Sequence, residues 1–402
     1  MIRISQFSCS LLGFSFLGIL HTSITFGILI GIALVTIIFE YRNHIKKWFF
    51  KKHETVLVYL LISFILSLFI SCLNSSHLFR SLGVSFYLII FILSSFLIYK
   101  FLTEKIDNID HTLKYISYSI IISTLIILIY NLIHLNIYFD EKGLNVGEVR
   151  KFKGVVNLIT LLVCLFPFFS EKINNRKYIF SLLLLLLIPI LIISNSKSSI
   201  LGIIGGSVFL VLYLISKYFS NKKVFISFVL LSSVLIFSFL LNYLPKDTEK
   251  HIDNTVFKIP TYILDPHRQF IWGFVVKNLN KQPFFGIGPD TSNFIEGSQR
   301  DIGHWATGDM NFIPSHPHNF ILEIILEIGF VGSLCFFFLI FSTNFIFLKD
   351  KSKAIPLIFL NGYFWTSSLV TFSFWNAWWQ GSYFFILAIL FSKIKFDFSK
   401  IG

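Results

Sequence analysis

The chain has 402 residues, 55% of them hydrophobic and only 14% charged, with a mean hydropathy of +0.75. This excludes an ordinary soluble domain, which needs more polar residues to cover its surface. The formal charge of +13 invites nucleic acid as a partner, but its distribution follows membrane topology instead.

Apolar runs recur from end to end. They predict helices at 6–22, 24–40, 55–73, 84–101, 115–136, 154–169, 178–194, 200–216, 224–243, 319–347, 355–373 and 382–396. The first run, with one early charge at Arg3, has signal-peptide character. No small-x-small cleavage site follows it, and a second apolar run starts almost at once, so a retained first helix is expected. With the N-terminus inside, the basic clusters at 42–52, 172–177, 217–223, 349–353 and 393–400 share one side. Of the 34 Lys and Arg, 21 then lie inside and 13 outside, seven of these in one long loop where the rule carries little weight. The expected fold class is an all-α integral membrane protein, a single polytopic domain over 1–402 with about twelve transmembrane helices and both ends cytoplasmic. Cys9, Cys72, Cys164 and Cys335 lie scattered in apolar segments without CxxC spacing, as small buried hydrophobes do.

Two external segments interrupt this pattern. One is DEKGLNVGEVRKFK (140–153), with a cationic cluster at Arg150, Lys151 and Lys153. The other is the loop 244–316 between the ninth and tenth helices. Its seven positive and eight negative charges nearly cancel, so it is no polybasic membrane patch. A loop of that length without structure would be unusual unless it is functional. Within it, PHRQFIWGFVVKNLNKQPFFGIGP (266–289) places Phe270, Ile271, Phe274, Val275 and Leu279 at helical spacing. This predicts a short amphipathic helix at the membrane interface with Arg268 in its first turn. Arg268 is as readily a residue snorkelling to headgroups as a ligand.

The tenth helix is introduced by SHPHN (315–319). His316 and His318 at a membrane entry fit either an interface feature or an acid/base pair, since imidazole titrates near neutrality. Glu323 and Glu327 follow at i, i+4 inside an apolar span, where pairing with polar groups of neighbouring helices is the plain explanation. Gly329 and Gly332 allow close helix approach or a break. SNSKSS (194–199) offers Lys197 as a snorkelling charge or an anion ligand. Trp375, Trp378 and Trp379 read first as an aromatic belt. No DxD pair is present to carry a divalent ion, and two histidines fall short of a metal ligand set, so neither metal nor cofactor is expected.

Taken in order, Arg268 and Trp272 as Arg-x-x-x-Trp, PFFGIGPDTSNF (283–294) and HPHNFILEIILEIGFVG (316–332) resemble the signature region of the O-antigen ligase and O-antigen polymerase superfamily. The family-like catalytic region is 266–335. The resemblance implies a metal-independent glycosyltransferase acting at the periplasmic face of the bacterial inner membrane. Its donor would be a glycan linked to undecaprenyl diphosphate, and its acceptor, in the ligase branch, lipid A-core. By motif context the family's essential arginine maps to Arg268 and its histidine, before Asn319, to His318. A second family arginine falls where this chain has Lys197, which keeps the charge and loses the bidentate fork. Arg150, with Gly154 and Asn157, resembles a further family pattern. His318, Arg268 and Lys197 are therefore the expected catalytic residues, and Arg150, His316, Asn319, Trp272 and Arg300 the expected substrate-binding ones.

The ligase reading is preferred to a polymerase joining lipid-linked repeats, on the HPHN motif taken together with FWNAWW (374–379). Protein O-oligosaccharyltransferases usually carry a further C-terminal domain, which is not expected here. A flippase would show repeats and charges at mid-membrane, and a scaffold would have no need of His318 and Arg268 together.

Overall fold

The computed structural model describes residues 4–48, 55–140, 143–219, 232–233, 237–245, 257–261, 264–302, 311–347 and 354–399. The helices are α1 (Ile4–Gly18), α2 (Ser23–Trp48), α3 (Thr55–Leu73), α4 (Leu78–Leu102), α5 (Ile106–Ile133), α6 (Lys153–Phe169), α7 (Arg176–Ile193), α8 (Lys197–Ser216), α9 (Pro266–Asn278), α10 (Phe320–Phe347), α11 (Ile355–Ser368) and α12 (Ala377–Ser399). A small antiparallel hairpin, β1 (Ile137–Asp140) with β2 (Gly143–Val146), occupies the first external segment. Among the described residues, seven helices are long and apolar enough to cross a membrane: α2 to α5, α7, α8 and α10. Most of the expected helix at 224–243, and 246–256 and 303–310 of the expected loop, fall outside the described residues.

Three boundaries differ usefully from the sequence pattern. Helix α5 starts at Ile106 rather than 115, because Asn108 and Thr112 turn inward and bond locally, Asn108 Nδ2 donating to the Phe101 carbonyl. Helix α11 ends at Ser368, and α12 already begins at Ala377. The intervening segment 369–376 is thus an irregular loop, not helix.

The helices pack as α1 on α2 and α5, α3 on α10, α4 on α12, and α8 on α11. Outward faces remain apolar, as at Leu185 and Ile192, which suits lipid. The α8–α11 seam is close because Gly202, Gly205 and Gly206 lie under Tyr363, Thr366 and Phe359. Asn157 of α6 ties this seam to its neighbours. It donates to Ser367 Oγ (2.5 Å) and Ser198 Oγ (3.2 Å), and its Oδ1 accepts from the Tyr363 hydroxyl.

Helix α10 is broken at Gly329, whose φ of 69° and ψ of −179° only glycine adopts readily. The segment 283–292 threads into the break. Its Ile287 and Gly288 N–H groups donate to the Leu326 and Glu327 carbonyls, and the Phe330 and Val331 N–H groups donate back to the Pro283 and Phe284 carbonyls. Both halves of the helix are thereby capped by the loop. A Cβ on Gly329 would stand 2.3 Å from the Phe284 carbonyl, and one on Gly286 2.3 Å from that of Glu327. Helix α9 packs its Phe270, Ile271, Phe274 and Val275 with Ile302, Phe312 and Ile313 of the loop and Leu322 and Leu326 of α10, in a second core.

Replacing Gly329 by Ala should lower the stability of the folded protein by about 1–3 kcal/mol from backbone strain alone. Gly31→Ala, at a helical site open on all sides, should change little. Thermal unfolding of both variants in detergent checks this.

Candidate active site

The site grows from the two ends of the long loop. Pro266 sits at the first position of α9, and the Asp265 side chain caps the helix by accepting from the Arg268 N–H. The cap fixes the first turn, from which the Arg268 side chain reaches across to the segment that follows α11. Its guanidinium donates to the Val370 carbonyl at 2.9 Å and stands 3.5 Å from the Asp265 carboxylate. One turn on, Trp272 Nε1 donates to the Pro317 carbonyl at 3.1 Å. The Arg-x-x-x-Trp spacing thus docks α9 onto the histidine segment.

His318 has φ of 52°, a left-handed turn that brings its ring back beside His316, with centroids 4.0 Å apart. The Thr371 carbonyl accepts from both: His316 Nε2 and His318 Nδ1 each lie 3.0 Å from it. A carbonyl can only accept, so each contacting nitrogen carries its proton. Among the described residues nothing donates to His318 Nε2, which keeps its lone pair, while His316 Nδ1 faces Ser315 Oγ at 2.9 Å. Burial, followed by the charges of His316 and Arg268, pushes His318 down to about 3, against the Thr371 hydrogen bond. Burial also lowers His316, against Thr371 and the nearby Asp290 carboxylate. Both rings are neutral around neutral pH, as a proton acceptor must be. Asn319 caps α10 instead of facing outward: its Oδ1 accepts from the Ile321 and Leu322 N–H groups.

The two glutamates of α10 bind loops. Glu323 accepts from Ser373 Oγ (2.6 Å) and the Phe374 N–H (2.7 Å). Glu327 accepts from the Asp290 N–H (2.6 Å), the Ser292 N–H (2.9 Å) and Trp375 Nε1. Both carboxyls are fully buried. Their partners are therefore loop groups, where the sequence suggested polar groups of neighbouring helices. Trp375 is likewise held by a carboxyl, and Trp379 is fully buried with Nε1 donating to Ser368 Oγ, where an aromatic belt was the simpler expectation.

The structure brings together Arg268, Trp272, His316 and His318. Lys197 is exposed at the start of α8, next to Ser198, which accepts from Asn157. Arg150 is exposed and pairs with Glu148 at 3.1 Å. Arg300 is exposed in the turn after Ser298. No described hydrogen bond joins these three cations to the histidine cluster. Sequence reasoning passed over Asp290 and Arg80. Arg80 Nε donates to the Asp290 carboxylate (2.8 Å) and carbonyl (3.0 Å). Burial raises the Asp290 carboxyl, against Arg80 and His316. The turn-forming run Gly288-Pro289-Asp290 is the signal the sequence held for it, and in the structure Asp290 takes a left-handed φ of 57°.

Residues 182–337 match the family described as O-antigen ligase. The resemblance to the O-antigen ligase superfamily holds. The matched stretch contains Lys197, Arg268 and the histidine pair, and stops before the Thr371 loop. A putative polysaccharide ligase of Rickettsia typhi is 28% identical over 244 residues, 60% of this chain and 57% of its own length. That of Rickettsia felis is 29% identical over 223 residues, 54% of this chain and 52% of its own. The chain thus spans little more than half the length of these relatives.

The pH dependence of stability follows from the histidines. His318 sits at about 3 when folded and near 6.5 when unfolded, so the unfolded chain binds more protons between those values. The stability is fully present above about 6.5 and is lost as pH falls below it. His318→Asn, a residue that tolerates the left-handed turn, should flatten the fall of the unfolding midpoint between pH 6.5 and 4.

Proposed function

We propose that the protein transfers a glycan from undecaprenyl diphosphate to lipid A-core at the periplasmic face of the inner membrane. The observation that carries this reading is the convergence of the Arg268 guanidinium and the His318 Nδ1–H on the adjacent Val370 and Thr371 carbonyls, which leaves His318 Nε2 as the ring's proton acceptor. A fixed cation next to a neutral imidazole, beside membrane helices, supports this reading.

The reaction needs no external energy, because the glycosyl–phosphate bond of the donor supplies the driving force. His318 Nε2 takes the proton of an acceptor hydroxyl as its oxygen attacks the anomeric carbon. The bond from that carbon to the diphosphate breaks, and the lipid diphosphate leaves with the electron pair, inverting the centre. Arg268, with Lys197 or Arg150 approaching from the rim, stabilises the developing charge by charge-assisted hydrogen bonds. Diphosphate arriving beside His318 opposes the cationic influence of Arg268 and raises the basicity of the ring. Trp272, His316 and Arg300 shape and line the approach, and Asn319 holds the helix start that presents His318.

The ligase branch is favoured over a polymerase because the relatives named above are described as polysaccharide ligases. Purified protein given an undecaprenyl diphosphate-linked glycan, with and without lipid A-core, tests the reading. Glycan on lipid A-core with the wild type alone supports it. A ladder of lengthened lipid-linked glycans without that acceptor would assign a polymerase instead. His318→Ala should lower transfer by about 10²–10⁴-fold, the usual contribution of a positioned base. Arg268→Lys should recover only part of what Arg268→Ala loses, since lysine lacks the fork.

A further inference from the structure

The proposed base and the proposed cation have a common dependence. Arg268 is held by the Val370 carbonyl, and both histidines by that of Thr371. Those carbonyls belong to the irregular segment 369–376, where no helical ladder fixes a carbonyl's direction. Its Leu369 and Val370 N–H groups bond back to the end of α11, and the Asn376 N–H bonds to the Ser373 carbonyl. Between these two turns the segment is anchored to α10 by Glu323, whose two oxygens accept from Ser373 Oγ and the Phe374 N–H. Ser373 Oγ accepts in turn from the Trp375 N–H at 3.0 Å. Glu323 stands on the same helix that His318 introduces, and so the base and the carbonyl that orients it are referred to one rigid element.

We infer that Glu323 is a positioning residue, holding the 371–374 segment so that the Thr371 and Val370 carbonyls meet His318 and Arg268. This rests on the transfer reading above. The physical reason for a carboxyl at this place is that it offers two acceptors to two buried donors. An apolar side chain would leave the Phe374 N–H unpaired in the interior. Glutamine keeps the arrangement. Its oxygen can accept from the Phe374 N–H while its amide donates to Ser373 Oγ, which is an acceptor as well as a donor.

The test compares Glu323→Leu with Glu323→Gln, each assayed per folded molecule in the transfer reaction, together with the nitrogen NMR shifts of the His318 ring. The expected result is a kcat loss of about 10²-fold for the leucine variant, the scale of an ångström-sized misplacement, with donor KM within a few-fold of wild type. The ring should lose its pure Nδ1–H form, and the glutamine variant should retain most of both properties. A leucine variant with wild-type kcat per folded molecule and an unchanged ring tautomer would overturn the inference, as would a glutamine variant as impaired as leucine. If the leucine variant does not fold, Ser373→Ala removes one of the two contacts. It should give a smaller kcat loss with a mixed tautomer, and wild-type values of both would refute the inference. A wild-type protein without transferase activity would defeat the transfer reading alone, because the tautomer measurement tests Glu323 independently of activity.

Discussion

Two consecutive backbone carbonyls, Val370 and Thr371, hold the whole candidate site together. One accepts from Arg268 and the other from His316 and His318. Because a carbonyl cannot donate, that of Thr371 does more than locate the side chains: it dictates where the protons sit on the rings, and hence which nitrogen of His318 can act as a base. The rest of the local structure keeps that pair of carbonyls in place. Glu323 holds the segment from one side, and Trp379, buried and bonded to Ser368, holds the end of the preceding helix.

The same economy appears at the break in α10. A helix interrupted inside an apolar span exposes carbonyls at one end and N–H groups at the other, and neither has water to turn to. The segment 283–292 supplies both sets of partners, and Glu327 fastens its far end through the Asp290 and Ser292 N–H groups. The loop is therefore part of the membrane domain's hydrogen bonding. Arg80 reaches Asp290 from the start of α4, so a third helix is tied into the same crossing. A loop fastened at this many buried points can hold a charged group in register, which a free loop of the same length could not.

Much of this was legible in the amino-acid sequence and some was not. The apolar runs marked the described long helices because a bilayer imposes a length that hydropathy records directly. Arg268 and the histidine pair could be singled out because charged or titratable side chains beside apolar spans are rare and costly, and Trp272 by its spacing from Arg268 in the family-like motif. Pro266, as a helix start, placed the first turn of α9 correctly. The first part of the loop, 369–373, was hidden, since it continues the apolar run of the preceding helix and its work is done by backbone carbonyls, which carry no residue signature. Glu323 and Glu327 were visible as anomalies, but their partners are main-chain and side-chain groups of loops distant in sequence. Gly329 was seen as a possible break, and the thread that fills it was not, because that pairing depends on long-range register.

The proposed transfer requires that the carbonyl-held pair, Arg268 and His318, face the donor. A cryo-electron microscopy structure of the protein with a bound undecaprenyl diphosphate-linked glycan measures this directly. The account predicts diphosphate density within hydrogen-bonding reach of Arg268, His318 Nε2 turned toward the acceptor side of the anomeric carbon, and both rings still bonded to Thr371. Diphosphate bound away from Arg268, or a His318 ring turned so that Nε2 meets Thr371, would contradict it.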